Sequence, residues 1–175
     1  MRPSLGGTLP PLPPAVVEAR RAARASVTWR DGDTPRLERR RRIIARYLLA
    51  SVPMAVVALY QTGILEDLPD LPLDRFEARE VDAAAEAYQL LEMPDALLAL
   101  LSNATTMALA GLTFSDDGPA WPRRLLGLKA GVDTAYALKL TGDQLFVHRK
   151  LCSWCLASTA ATLAALPHAL REART

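Results

Sequence analysis

Long uncharged stretches alternate along this chain with short, strongly charged ones. Tyr47 to Leu65 (YLLASVPMAVVALYQTGIL) holds no charged residue in 19 positions. At about 1.5 Å per residue, a helix of that length spans roughly 28 Å, close to the hydrocarbon thickness of a bilayer. A second uncharged stretch of 19 residues runs from Ala96 to Phe114, and a third of 20 from Leu151 to Leu170 when His168 is neutral. Surface helices of soluble proteins carry polar residues on every turn, so three such stretches predict membrane spans. Leu125 to Leu140 is a weaker candidate because it contains Lys129, Asp133 and Lys139. Lys129 and Asp133 are four apart and therefore on one helical face, where they pair and point into a bundle instead of at lipid. The pattern predicts an all-α fold, an integral membrane four-helix bundle with spans at about residues 45–65, 96–114, 124–141 and 146–168.

The charges between these stretches predict an orientation. Arg36, Arg39 to Arg42 and Arg46 precede the first span, Arg123 and Arg124 precede the third, and Arg171 and Arg174 follow the fourth. With four spans all three groups fall on one side, and by the positive-inside rule that side is the cytoplasm. The expectation is a multi-pass protein of the cell membrane with both termini cytoplasmic. Glu66 to Asp95 becomes an exported loop with ten acidic residues against Arg75 and Arg79, while His148, Arg149 and Lys150 form a basic group on that same side. Within the loop Phe76, Glu80, Ala84, Tyr88 and Leu91 recur every three or four residues. That spacing predicts a short amphipathic helix between Asp74 and Leu91, capping the bundle. Met93-Pro94-Asp95 then breaks it and opens the second span, with proline in the first turn and a carboxylate near the positive helix end.

Upstream, Leu9 to Pro14 (LPPLPP) cannot form a helix interior and reads as extended chain. Ala15 to Trp29, with Arg20, Arg21 and Arg24, is compatible with a short basic helix, either part of a cytosolic tail or lying on anionic lipid. No apolar run follows the first residues, so no secretory signal peptide is expected. Residues 1–38 are thus read as a flexible Pro- and Arg-rich cytoplasmic segment and 39–171 as the membrane domain. Composition adds exclusions. With 175 residues, 50% apolar and 23% charged, the chain is one domain, neither disordered, collagen-like nor a disulfide-stapled miniprotein. A net charge of +2 selects no strongly charged partner, nucleic acid included. No internal repeat or glycine-rich phosphate loop is present.

The candidate chemistry lies in the two cysteines, which fall as Cys152-Ser153-Trp154-Cys155. At the start of a helix this spacing lets a disulfide close, with the first cysteine at the positive helix end and His148, Arg149 and Lys150 adding positive potential. On the exported side oxidising chemistry is the rule. Two other readings stay open. The cysteines can be small packing residues of a membrane helix. They can also be metal ligands, since His148, Cys152 and Cys155 fall at i, i+4 and i+7. A tetrahedral zinc site needs a fourth ligand that this spacing does not supply, so no metal is expected.

One basic-flanked span, a loop ending in Tyr88 and Met93-Pro94-Asp95, two further spans, and a last helix opening Leu151-Cys-Ser-Trp-Cys-Leu156 together resemble a known family. It is the vitamin K epoxide reductase family, particularly its bacterial members, and the resemblance covers roughly residues 40 to 170. The resemblance implies a four-helix bundle around a quinone (menaquinone or ubiquinone) and an enzyme that oxidises an exported thioredoxin-like thiol protein. Cys152 and Cys155 would be its redox pair, Cys155 facing the quinone and Cys152 exchanging disulfides with the thiol donor. Family enzymes usually carry a second cysteine pair in the loop between the first two spans, and Glu66 to Asp95 has none. With no thioredoxin-like domain up to Thr175, either a separate thiol protein reaches Cys152 directly, or the chain is a non-catalytic membrane scaffold or interaction protein. Trp154 can stack on a ring-shaped ligand or simply anchor at an interface. Asp133 and Tyr136, on one face of the third span, can assist quinone protonation, or form a structural Lys129–Asp133 pair and an interface anchor. Asn103 lies in the helix that carries the family's quinone-binding asparagine, and with Thr105 it can equally bond between helices.

Overall fold

The computed structural model describes residues 13–112 and 119–175, and among them no strand occurs beyond one isolated bridge. Six α-helices follow in order: α1 (Pro14–Asp31), α2 (Pro35–Gln61), α3 (Ala78–Asp82), α4 (Asp95–Leu112), α5 (Trp121–Asp143) and α6 (Ser153–Ala173). A 3-10 turn spans Ala85–Tyr88 and a π turn Gln144–His148. The chain divides into two compact units after Leu37. In the first, the short basic helix compatible with Ala15 to Trp29 is present as α1. Pro14 is preorganised for the first turn and the Ala- and Arg-rich run beyond it favours helix. Leu9 to Leu12 of the proline run, and the expected end of the second span at Thr113 and Phe114, lie outside the described residues.

The second unit is built on the four long helices, each offering one face to a shared core. Ile43 and Tyr47 of α2, Leu109 and Ala110 of α4, Leu126 and Ala130 of α5, and Ala165 and Ala169 of α6 form one buried cluster. The i, i+4 spacing of three of these pairs is the helical repeat that makes one stripe. Small residues let α5 and α6 approach closely: a Cβ on Gly127 would meet the Ala173 Cβ at 2.5 Å. Outward-facing Leu48, Leu49, Val52, Leu101 and Leu128 are exposed, an apolar exterior around a partly polar interior.

By length and composition two of these helices, α2 and α4, are long and apolar enough to cross a membrane, not all four of the expected spans. α5 falls short because it carries Arg123, Arg124, Lys129, Asp133, Lys139 and Asp143. α6 falls short because Ser153, Trp154, Ser158, Thr159, Thr162, Pro167 and His168 interrupt its apolar residues. Lys129 and Asp133 nevertheless face inward, as their spacing predicts. Lys129 Nζ lies 2.5 Å from Asp133 Oδ1 and 2.6 Å from Ser102 Oγ. The basic start of α2 and the end of α6 lie together, since the Arg39 and Arg40 Nε atoms donate to Glu172 at 3.3 and 2.8 Å. Arg40 and Glu172 are buried at 2% and 0% exposure.

The loop between α2 and α4 departs from the expected helix. Instead of one amphipathic helix from Asp74 to Leu91, it holds the five-residue α3 and the 3-10 turn, separated by Ala84 in an extended conformation. Leu91 and Glu92 then adopt left-handed backbone (φ 60° and 55°) ahead of α4. The reason is competition for hydrogen bonds. The Ala78 N–H goes to Asp70 Oδ2 at 2.8 Å, Gln61 Nε2 donates to the Asp82 carbonyl at 3.2 Å, and Tyr88 OH donates to the Gln61 carbonyl at 3.1 Å. These tertiary partners outweigh a marginal 18-residue helix. α6 likewise begins at Ser153 and not at residue 146, because the π turn prolongs α5 and Arg149 at φ 56° reverses the chain.

Candidate functional site

Cys152 is the N-cap of α6. Its backbone is extended, and its Sγ accepts a hydrogen bond from the Cys155 N–H at 3.2 Å. Capping of this kind draws both sulfurs toward the first turn, as the Cys-x-x-Cys spacing predicts. The Cys152 N–H in turn donates to Gln144 Oε1 at 3.1 Å, so the π turn at the end of α5 fixes the start of α6. Both cysteines are free thiols. Cys152 is fully buried, in a cluster with Met54, Val57 and Ala58 of α2, Leu68 and Ala78 of the loop, and Ala96 of α4. Cys155 is partly exposed.

The loop is strapped across this end of the bundle. Phe76 and Leu151 form the isolated parallel bridge, with Glu77 N–H donating to the Leu151 carbonyl at 3.0 Å and Leu151 N–H to the Arg75 carbonyl at 2.8 Å. Trp154 Nε1 donates to the Pro69 carbonyl at 2.6 Å, and the Ser153 N–H to Asp70 Oδ1 at 3.3 Å. Lys150 pairs with Glu77. The basic group His148 to Lys150 thus sits beside the acidic loop, and one of its charges is matched there.

Beneath the strap, Asp82 reaches the cysteines. Cys155 Sγ donates to Asp82 Oδ1 at 3.4 Å, and a carboxylate oxygen of Asp82 and the two sulfurs all lie within 4.8 Å of one another. Asp82 is 3% exposed, and its Oδ2 is buried without a hydrogen-bond partner. Burial pushes its carboxyl up from the ordinary 3.8 to about 6. Hydrogen bonds from the cysteines work against that rise, and the carboxylates of Asp95 and Asp70 add to it. The metal reading of the sequence drew on His148. Among the described residues the sulfurs are grouped with Asp82 alone, one donor short of a tetrahedral site.

Cys155 and Asp82 open onto a cavity of about 550 Å³ between α2, α4, α5 and α6. Its walls include Val57, Leu98, Val132 and Leu140, with a few polar groups among them, the make-up of a small-molecule site. Asn103, Asp133 and Tyr136 line it, whereas the lining includes neither Trp154 nor Cys152. Trp154 instead anchors the loop. Asn103 Nδ2 donates to Ser51 Oγ at 3.2 Å, bonding α4 to α2. Asp133 accepts four hydrogen bonds, from Ser102 (2.7 Å) and Lys129 on Oδ1 and from Thr106 (2.8 Å) and Tyr47 (3.1 Å) on Oδ2. Four donors saturate a carboxylate.

Sequence reasoning missed Asp82, Gln61, Asp70 and Gln144. Asp82 carried a usable signal, a charge set between Val81 and Ala83-Ala84-Ala85. The other three are ordinary loop or helix-end residues; the partners of Gln61 and Asp70 lie far along the chain, and Gln144 meets Cys152 only because the chain turns back at Arg149.

A model of the vitamin K epoxide reductase family matches residues 41–170. Comparison with curated proteins and with solved structures gives no match.

Proposed function

The chain belongs to the vitamin K epoxide reductase family, membrane-associated proteins that in general couple disulfide chemistry to quinones. From that premise we propose that it is a quinone-linked thiol–disulfide oxidoreductase of the membrane. Its substrates are an exported thioredoxin-like thiol protein and a quinone, menaquinone or ubiquinone. The observation that carries the reading is Cys155, a free thiol held three residues from a second one and lining an apolar cavity of about 550 Å³.

The proposal includes four spans, α2, α4, α5 and α6, with the arginine-rich ends cytoplasmic and the acidic loop exported. The inward Lys129–Asp133 pair and the apolar outer face of α5 support the third span despite its charges. A quinone in the cavity supplies a two-electron, two-proton acceptor. Asn103 and Tyr136 are the polar side chains proposed to hold it, and Asp133, saturated by its neighbours, keeps α5 in register beside them. Cys155 faces the cavity, and Cys152 exchanges with the partner. In the oxidised protein a partner thiolate attacks Cys152, the Cys152–Cys155 bond breaks, and a mixed disulfide forms. The partner's second thiol resolves it, leaving both cysteines reduced and the partner oxidised. Because Cys152 is fully buried, the strap must lift for this exchange.

That same burial, with no cysteine in the loop, favours a second reading, a non-catalytic scaffold. One experiment separates the two. Cys155→Ser is expected to trap a mixed disulfide between Cys152 and an exported thiol protein, resolved on non-reducing gels and lost in Cys152→Ser. If no adduct forms and the wild-type protein in vesicles reduces no quinone with dithiol, the enzyme reading fails and the scaffold stands.

A further inference from the structure

Thiols become a disulfide only if two protons leave, and here one of the two sulfurs, Cys152, is fully buried. Of the other carboxylates on the cavity, Glu86 is exposed, Asp133 is saturated, Asp95 Oδ1 accepts from Gln61 Nε2 at 2.7 Å, and Asp143 pairs with Lys139. Asp82 differs in both of its oxygens: Oδ1 receives the Cys155 thiol and Oδ2 is buried with no partner. We propose that Asp82 is a catalytic residue of the cysteine pair, taking the thiol protons as the disulfide forms and releasing them into the cavity. This deepens the oxidoreductase reading and rests on it.

The step balances. Two S–H bonds break and one S–S bond forms. Two electrons pass to the quinone, and the two protons reach its oxygens one after the other by way of the Asp82 carboxylate, which ends the cycle as it began. The product is quinol. A carboxyl that titrates near 6 is charged enough at neutral pH to accept a proton and acidic enough to give it up again. The groups that bear on its titration are Cys152 and Cys155 from α6, Asp95 from α4 and Asp70 from the loop, with Glu86 and His148 on the same cavity. Gln61 of α2 contributes only a neutral amide, donated to the Asp82 backbone carbonyl.

The test uses the full chain in vesicles with dithiothreitol and a short-chain ubiquinone. Wild-type quinol formation should rise as pH passes about 6. Asp82→Asn should lower kcat roughly 100-fold, abolish that rise and leave the quinone KM unchanged. Asp82→Glu should keep the rise at a reduced rate. It carries the test if labelling of the buried Cys152 shows that Asp82→Asn has unfolded. In a Cys152→Ser background, iodoacetamide alkylation of Cys155 should follow a pH curve that Asp82→Asn displaces, because thiol and carboxylate share a proton. An Asp82→Asn protein with the wild-type rate and pH rise, or an unmoved alkylation curve, overturns the proposal. A wild-type protein that reduces no quinone removes the oxidoreductase reading instead, and the alkylation curve still judges Asp82.

Discussion

A carboxylic acid buried against two thiols is costly to ionise, and Asp82 shows how that cost enters the stability of the fold. Its carboxyl titrates near 6 in the folded protein against 3.8 in an unfolded chain. Below the lower value both states are protonated and the stabilising contribution is complete. As pH rises toward 6 the unfolded chain loses its proton first, so folding is progressively disfavoured, by ~3 kcal/mol once both states are charged. Asp82→Asn should abolish this loss. Denaturant unfolding in detergent should show the variant gaining on the wild type between pH 4 and pH 7, and identical pH responses of the two proteins would count against the assigned burial. Asp133 illustrates the opposite arrangement. It is a carboxylate on the same cavity, but Lys129, Ser102, Thr106 and Tyr47 compensate its charge. The inward placing of Lys129 and Asp133 was legible from an i, i+4 spacing, since a local repeat needs no knowledge of distant partners. The site around Asp82 was not, because Asp82 meets Cys155 across 73 residues of chain.

At the scale of elements, most of the bonds that hold the strap between α2 and α4 converge on residues 150–155, the first turn of α6 and the chain just ahead of it. Asp70 carries two of them, accepting from the Ala78 N–H at 2.8 Å and the Ser153 N–H at 3.3 Å. Charge-assisted bonds of this kind contribute about 1.5–3 kcal/mol each. Asp70→Ala should therefore raise maleimide labelling of Cys152 by about tenfold or more while α2, α4, α5 and α6 stay folded. Labelling at the wild-type rate would mean that the strap does not control access to the sulfur. Charge-free runs made α2, α4 and α6 legible and the i, i+4 charge pair made α5 so, though the start of α6 was not, because a left-handed Arg149 has no sequence signature. The loop misled for a physical reason. Its three-to-four spacing was real, but a short helix is marginal alone, and backbone donors that would have closed its turns found Asp70 and other tertiary partners instead.

At the largest scale, the four-helix unit has two chemically different ends. One gathers the arginines at the start of α2 with the end of α6, and the other holds the acidic loop, the cysteines and the mouth of α5. If four helices cross the bilayer with the arginines inside, a tag ahead of α2 and a tag within residues 66–74 should be protected on opposite sides in right-side-out vesicles. Protection on the same side would leave α2 and the proposed topology untenable. The ion pair that joins the first and last long helices also sets a timetable. Glu172 is made 132 residues after Arg40. While the intervening helices are being synthesised, that buried arginine has yet to meet its carboxylate. The pair therefore forms only once the cysteine-bearing helix is in position.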